Sequence, residues 1–171
     1  MQDIEAVAPG IDECEVLYLE SVAYDFNERQ LTAHVAEGVL ASESESVDVG
    51  DQVLEATPFV IGPTSRKFLI VFPKVAAHFI VDSFYRNTVG PGDALLGRNL
   101  LLLNENKFVS FVSDATIFES VVDADARFHY GLLTSDAEVF VASSQPVFVL
   151  EETDATGAAA QAESAETSPD H

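Results

Sequence analysis

The chain is short of the residues that build redox and metal centres. It has one cysteine, one methionine and no tryptophan in 171 residues. A lone Cys14 cannot close an intrachain disulfide and has no CxxC neighbour, which excludes a thiolate metal site and suits a reduced, cytoplasmic protein. Positive charge is scarce too, with 8 Lys plus Arg against 29 Asp plus Glu and a formal net charge of −21. A surface this negative repels phosphate backbones and anionic lipid, so neither direct nucleic-acid binding nor membrane binding is expected. Cations, basic proteins and basic peptides are the partners it attracts.

Long apolar runs are also missing. "KFLIVFPKVAAHFIV" is interrupted by Pro73, Lys74 and His78 well short of the roughly 20 residues that a spanning helix requires. "MQDIEAVAPG" has acids where a secretory leader has Lys or Arg, and no apolar h-region follows, so no signal peptide is expected.

Apolar residues are nevertheless abundant, at 47% with twelve Phe, too many for a disordered chain. The length suits a single globular domain, placed at 13–150, with a flexible lead-in over 1–12. Residues 151–171 have no large apolar side chain and are expected to form a disordered acidic tail.

Within the body the period is mostly that of strands. In "CEVLYLESVAYDF" the residues Cys14, Val16, Tyr18, Val22, Tyr24 and Phe26 share one parity, interrupted by Glu20; "LTAHVAEGV" then places Leu31, Ala33 and Val35 opposite Thr32 and His34. Residues 14–39 therefore read as a hairpin turning at "DFNERQ". "ASESESVDVGD" is a polar connection or an exposed edge. "RKFLIVFPKVAAHFIVDSFY" gives two strands separated by Pro73-Lys74, and Phe68 to Phe72 is apolar on both parities, as in a strand covered on both faces. "TVGPGDALLGRN" is turn chemistry.

One helix is predicted near residues 105–118, with Phe108, Phe111, Val112 and Ala115 on one face and Asn104 or Asn106 as its cap. A hairpin over "FHYGLLTSDAEVFVAS", turning at Ser135-Asp136, and a last strand in "QPVFVLEE" complete an α+β, mainly β fold. Its expected form is a curved, mostly antiparallel sheet with one packed helix.

Chemistry has few footholds. Metal ligation requires converging His, Cys or carboxylate groups, usually spaced as HxxxH or HExxH, and neither occurs. His34, His78 and His129 each lie alone on a predicted strand, so they form a metal site only if neighbouring strands bring them together. Asp82 follows His78 in phase but about 13 Å away along the strand. His78, Asp82 and His129 are the catalytic candidates, for a small hydrolase or ligand-binding domain, provided they converge in one pocket. His129 is otherwise a boundary residue of a hairpin strand. Asp82, an acid in an apolar strand, needs an edge position or a partner such as Arg86 or Arg127.

Cys14 sits at an apolar position, as a core thiol with a raised pKa does, and no GxSxG elbow is present. "GPGDALLG" has neither the GK[ST] ending of a phosphate loop nor the strand-GxGxxG-helix context of a dinucleotide site. "ESESE" does not follow the calcium-loop spacing. No motif calls for a cofactor.

The succession "LIVFPKVAAHFIVDSFYR", "LLGRNLLLLNENKFVSFVSDAT" and "FHYGLLTSDAEVFVASSQPVFVL" resembles a family of small bacterial proteins of unknown function, over residues 68–150. That family tends to have an aromatic at the position of His78 and a Glu at that of Ser83, where this chain departs, so the resemblance transfers no site and implies no activity. The leading expectation is a non-enzymatic protein-binding domain whose acidic surface selects, and in its sharper form neutralises, a basic protein partner. An acidic housekeeping protein of a salt-adapted cell is the other reading of the same charge.

Overall fold

Alternation of apolar and polar residues makes strands of most of the chain, and two Phe-bearing segments between them make helices. The structure is a computed structural model that describes residues 10–85, 89, 92–104 and 106–152. Its strands are β1 (Val16–Asp25), β2 (Gln30–Leu40), β3 (Glu45–Val49), β4 (Gln52–Ala56), β5 (Phe59–Val60), β6 (Lys67–Phe72), β7 (Val75–Asp82), β8 (Ala94–Leu96), β9 (Leu100–Leu103), β10 (Phe128–Leu133), β11 (Ala137–Ser143) and β12 (Phe148–Glu152). Helices α1 (Lys107–Ala115) and α2 (Phe118–Val121) lie between β9 and β10.

The α+β, mainly β class and the antiparallel pairing are as expected, but two sheets replace one curved sheet. The first has the order β1-β2-β6-β12, with β5 on the end of β2; the second has the order β7-β11-β10-β9-β8. β3 and β4 pair only with each other, and all ten of their residues are exposed.

Pro73-Lys74 turns β6 into β7, and β11 passes into β12 opposite them. The ladders on the two sides of this corner keep one register, Phe148↔Val71 in the first sheet and Ala142↔Ala77 in the second. A single bent pair of strands thus crosses from sheet to sheet, the usual way to make a corner.

The sheets face each other across a core containing Leu31, Val35, Phe68, Ile70 and Phe72 from the first and Leu100, Tyr130, Leu132, Val139 and Val141 from the second. The other face of the second sheet carries α1 and α2, whose Phe108, Val112 and Phe118 pack on Leu101, Leu103, Phe140 and Ala142. Strands β9 and β11 are therefore covered on both sides, and every residue of β11 is buried. β6 differs from expectation: Phe68, Ile70 and Phe72 are wholly buried, whereas Leu69 and Val71 are half-buried on the outer face and join neither core. No helix layer covers that outer face among the described elements.

The first hairpin forms as predicted, but its inward face is not one parity. Leu19 pairs with Val35 and Ser21 with His34, so Glu20 is an extra residue on β1, a β-bulge. Leu17 and Leu19 face the core before it, Val22 and Tyr24 after it. Val16 and Tyr18 point away, the Tyr18 hydroxyl donating to the Phe59 carbonyl at 2.9 Å. Phe26 lies in the turn, 83% exposed.

The folded body also starts earlier than expected. Ile11, assigned to the lead-in, is wholly buried. Asp12 Oδ1 accepts from the amides of Asn99 and Leu100 at 2.7 and 3.1 Å, and Asn99 Nδ2 donates to the carbonyls of Ile11 and Cys14, each at 2.8 Å. At the other end β12 takes in Glu151 and Glu152, which had been placed in the tail. The remainder of the predicted lead-in and tail, 1–9 and 153–171, falls outside the described residues.

Asn106 caps α1, its side-chain oxygen accepting from the Val109 amide at 2.8 Å. Phe108 and Val112 face the sheet, but Phe111 is exposed, so the apolar stripe is narrower than predicted. Among the described residues no helix is long and apolar enough to cross a membrane.

Candidate binding surface

The three strand histidines occupy three different faces. His34 lies opposite Leu69 on the outer face of the first sheet, where its Nδ1 is 3.3 Å from Glu152 Oε1. His78 pairs with Val141 and His129 with Ala142. Val141 and Ala142 are neighbours on β11 and point to opposite sides, so His78 and His129 do too. His78 turns toward the first sheet and packs on Tyr24, with ring centroids 4.9 Å apart. His129 turns toward the helices and meets Phe118 edge-on at 5.9 Å.

Asp82 shares the side of His78, opposite Ala137, and accepts from the Phe84 amide at 2.8 Å. Arg127, one suggested partner for Asp82, instead donates to the carbonyls of Val122 and Glu119; Arg86, the other, lies outside the described residues. The structure therefore does not bring His78, Asp82 and His129 together. Among the described residues no group of three or more His, Cys, Asp or Glu is placed to hold a metal.

Three other titratable groups of the interior, Cys14, Tyr130 and His129, are structural in setting. Cys14 is wholly buried beside the Gly10 carbonyl, and burial, aided by Glu37, pushes its thiol up to about 11. Tyr130 is pushed up to about 12 by burial, while its hydroxyl accepts from the Val147 amide at 3.2 Å. His129 is held below its ordinary value by burial, and among the described residues its Nε2 has no hydrogen-bond partner.

The outer face of the first sheet is organised differently. Following the pairing across the sheet, one row reads Ala23, Thr32, Val71, Phe148 and the next reads Ser21, His34, Leu69, Leu150. Both rows grow more apolar toward β12. Phe148 and Leu150 end them, each 56% exposed, at a strand with no described neighbour on its far side. Lys67 paired with Glu20 at 3.2 Å, and His34 paired with Glu152, give this strip a charged border.

The opposite edge of the same sheet is closed. Leu17 accepts from the Ser135 amide at 2.7 Å, the Leu19 amide donates to Asp136 Oδ1 at 2.9 Å, and the Glu20 bulge twists the strand between them. Such devices block edge-to-edge pairing, and among the described residues β12 has neither a bulge nor a loop bonded along its far side.

Phe79 and Ile80 on the β7 edge point to opposite faces, and the β3–β4 ribbon offers Val47 and Leu54 as a pair without a third strand behind them. Sequence reasoning missed the strip around Phe148 and Leu150. Its signal was present in the both-parity apolarity of 68–72 together with the alternation in "FVLEE". No protein-family model, curated protein or solved structure matches the chain.

Proposed function

We propose that the protein is a non-enzymatic binding module that takes an extended basic and apolar segment of another protein as an added strand beside β12. The observation that supports this reading is the pair of cross-strand rows ending at Phe148 and Leu150, beside an edge that has no neighbour among the described residues. Strand addition satisfies the unpaired backbone groups of an edge and reads alternate side chains on each face. On the outer face an incoming apolar residue extends the rows of Val71 and Leu69. Near Glu152, and in the field of a chain carrying −21, the complementary side chains are Lys or Arg. A second copy of the same chain is disfavoured by that charge. Neutralising a basic enzyme or toxin is the biological form this complementarity suggests.

A labelled peptide alternating lysine and valine tests the proposal by fluorescence anisotropy. It should bind, and binding should weaken steeply as salt rises from about 0.05 to 0.5 M. A glutamate–valine peptide should not bind, and F148K/L150K should weaken the lysine–valine peptide at least tenfold while leaving the fold intact, since both side chains are largely exposed. Equal binding by F148K/L150K would reduce the interaction to unspecific charge attraction. Pairing of two copies through β12, with no response to the peptide, would replace the basic partner by self-association.

A further inference from the structure

Three chain reversals meet at the corner where the bent strand pair changes sheet. The Val75 amide donates to the Arg29 carbonyl at 2.7 Å, joining the β6–β7 corner to the β1–β2 turn. The Ser144 amide donates to the Lys74 carbonyl at 3.3 Å, joining the same corner to the segment after β11. Between these reversals and α2 is a pocket of about 210 Å³. Val75, Phe118 and Val121 form an apolar wall, and Arg29, Lys74 and Ser144 bring polar groups to it.

Arg29 and Lys74 have φ of 53° and 48°, and among the described residues they are the non-glycine residues with positive φ. The left-handed region costs an ordinary side chain about 1 kcal/mol or more, and glycine or asparagine adopts it at less cost. Two unrelated turns each place a basic residue at such a position, and both residues line one pocket, in a chain that has only 8 Lys and Arg. Strain retained in this way is characteristic of ligand clamps. Among the described residues the Arg29 guanidinium and the Ser144 hydroxyl have no partner, whereas Lys74 Nζ donates to the Glu28 carbonyl at 3.3 Å and lies 3.9 Å from the Glu28 carboxylate.

We infer that this corner pocket binds a small organic carboxylate, its anionic end held by Arg29, Lys74 and the Ser144 hydroxyl and its apolar body against Val75, Phe118 and Val121. Guanidinium and ammonium together supply charge-assisted hydrogen bonds to a carboxylate, and the apolar wall selects an amphiphile over a bare anion. The volume is below that of pockets for drug-sized ligands, which suits a molecule of roughly ten non-hydrogen atoms. The inference is independent of the strand-addition reading, because it uses neither the outer face of the first sheet nor β12.

Phenylacetate is a suitable probe, titrated into the full chain while the amide resonances of Val75, Ala76, Phe118 and Val121 are followed. A saturable shift confined to the pocket is expected. The neutral analogue 2-phenylethanol and inorganic phosphate should each bind at least tenfold more weakly. R29G/K74G should also lose at least tenfold in affinity with little change in thermal stability, since glycine relieves the left-handed strain by about as much as it adds to unfolded-chain entropy. Absence of saturation by about 10 mM, the range of very weak recognition, overturns the inference. Equal binding of 2-phenylethanol removes the role of the two cations without recourse to any variant, and equal binding of phosphate removes the organic body of the ligand.

Discussion

At the scale of the residue, His129 is the most informative side chain of the interior. Its position opposite Ala142 on the helix-covered face leaves Nε2 without a partner among the described residues, and burial holds the imidazole below its ordinary value of 6.5, more than the nearby Glu119 offsets. The native state therefore keeps this group neutral where the unfolded chain accepts a proton at about pH 6.5. Its contribution is intact above that pH and becomes progressively unfavourable below it, as the unfolded state gains a proton that the folded state refuses. His129→Phe keeps an aromatic ring beside Phe118 and removes the unsatisfied nitrogen. It should stabilise the protein by about 1 kcal/mol at pH 7.5 and flatten the loss of stability that sets in below about pH 6.5, as read by urea unfolding. Parallel pH profiles for the two proteins would show that His129 is not the acid-sensitive group. None of this setting was legible in "RFHYGLL", because strand alternation fixes which residues share a face and not which layer covers it.

At the scale of the element, local pattern carried far. The hairpins around residues 25–30 and 134–136, the Asn106 cap and the last strand all follow from turn residues, capping chemistry and alternation. The misread element was β1, where Glu20 looked like an interruption of one apolar face. It is the extra residue that rotates the strand between two faces, so that Leu17 and Leu19 precede it inward and Val22 and Tyr24 follow. Deleting Glu20 should join the two halves into a regular strand without turning any of these side chains outward. The deletion protein should fold, losing no more than about 2 kcal/mol in urea unfolding. It should also associate more readily, because the bulge no longer blocks the β1 edge. Global unfolding on deletion would mean that the residue is a structural member of the strand.

β6 shows the complementary limit of sequence. Apolarity on both parities announced a strand covered twice, and within the chain only Phe68, Ile70 and Phe72 are deeply covered. The doubly covered strands are instead β9 and β11, where helices supply the second layer. Under the proposed strand addition, the face that Leu69 and Val71 present is the one a partner would cover.

At the scale of the whole molecule, charge should act on folding and on the proposed binding in opposite senses. The ion pairs made by His34, Arg66, Lys67 and Lys74 sit at exposed or half-exposed positions and contribute little individually, and 29 acids face 8 Lys plus Arg. Screening should relieve self-repulsion, and the midpoint of thermal unfolding should rise from about 0.05 to 1 M salt, by roughly 4 °C for each kcal/mol relieved. Over the same range the basic peptide should be released. A thermal midpoint that does not respond to salt would show that the acids are too dispersed to strain the fold. The sequence made this charge plain, but not where it leaves an opening, because the order of strands and the exposure of an edge are set by tertiary pairing.

The most direct measurement on the proposed binding face is an amide chemical-shift map of the full chain titrated with the lysine–valine peptide at low salt. Strand addition places the largest changes at Phe148 to Glu152, with smaller ones at Leu69 and Val71 and little change on the helix-covered face. Changes centred on the β3–β4 ribbon or on the helices, or spread evenly over the acidic surface, would contradict a binding site at the β12 edge.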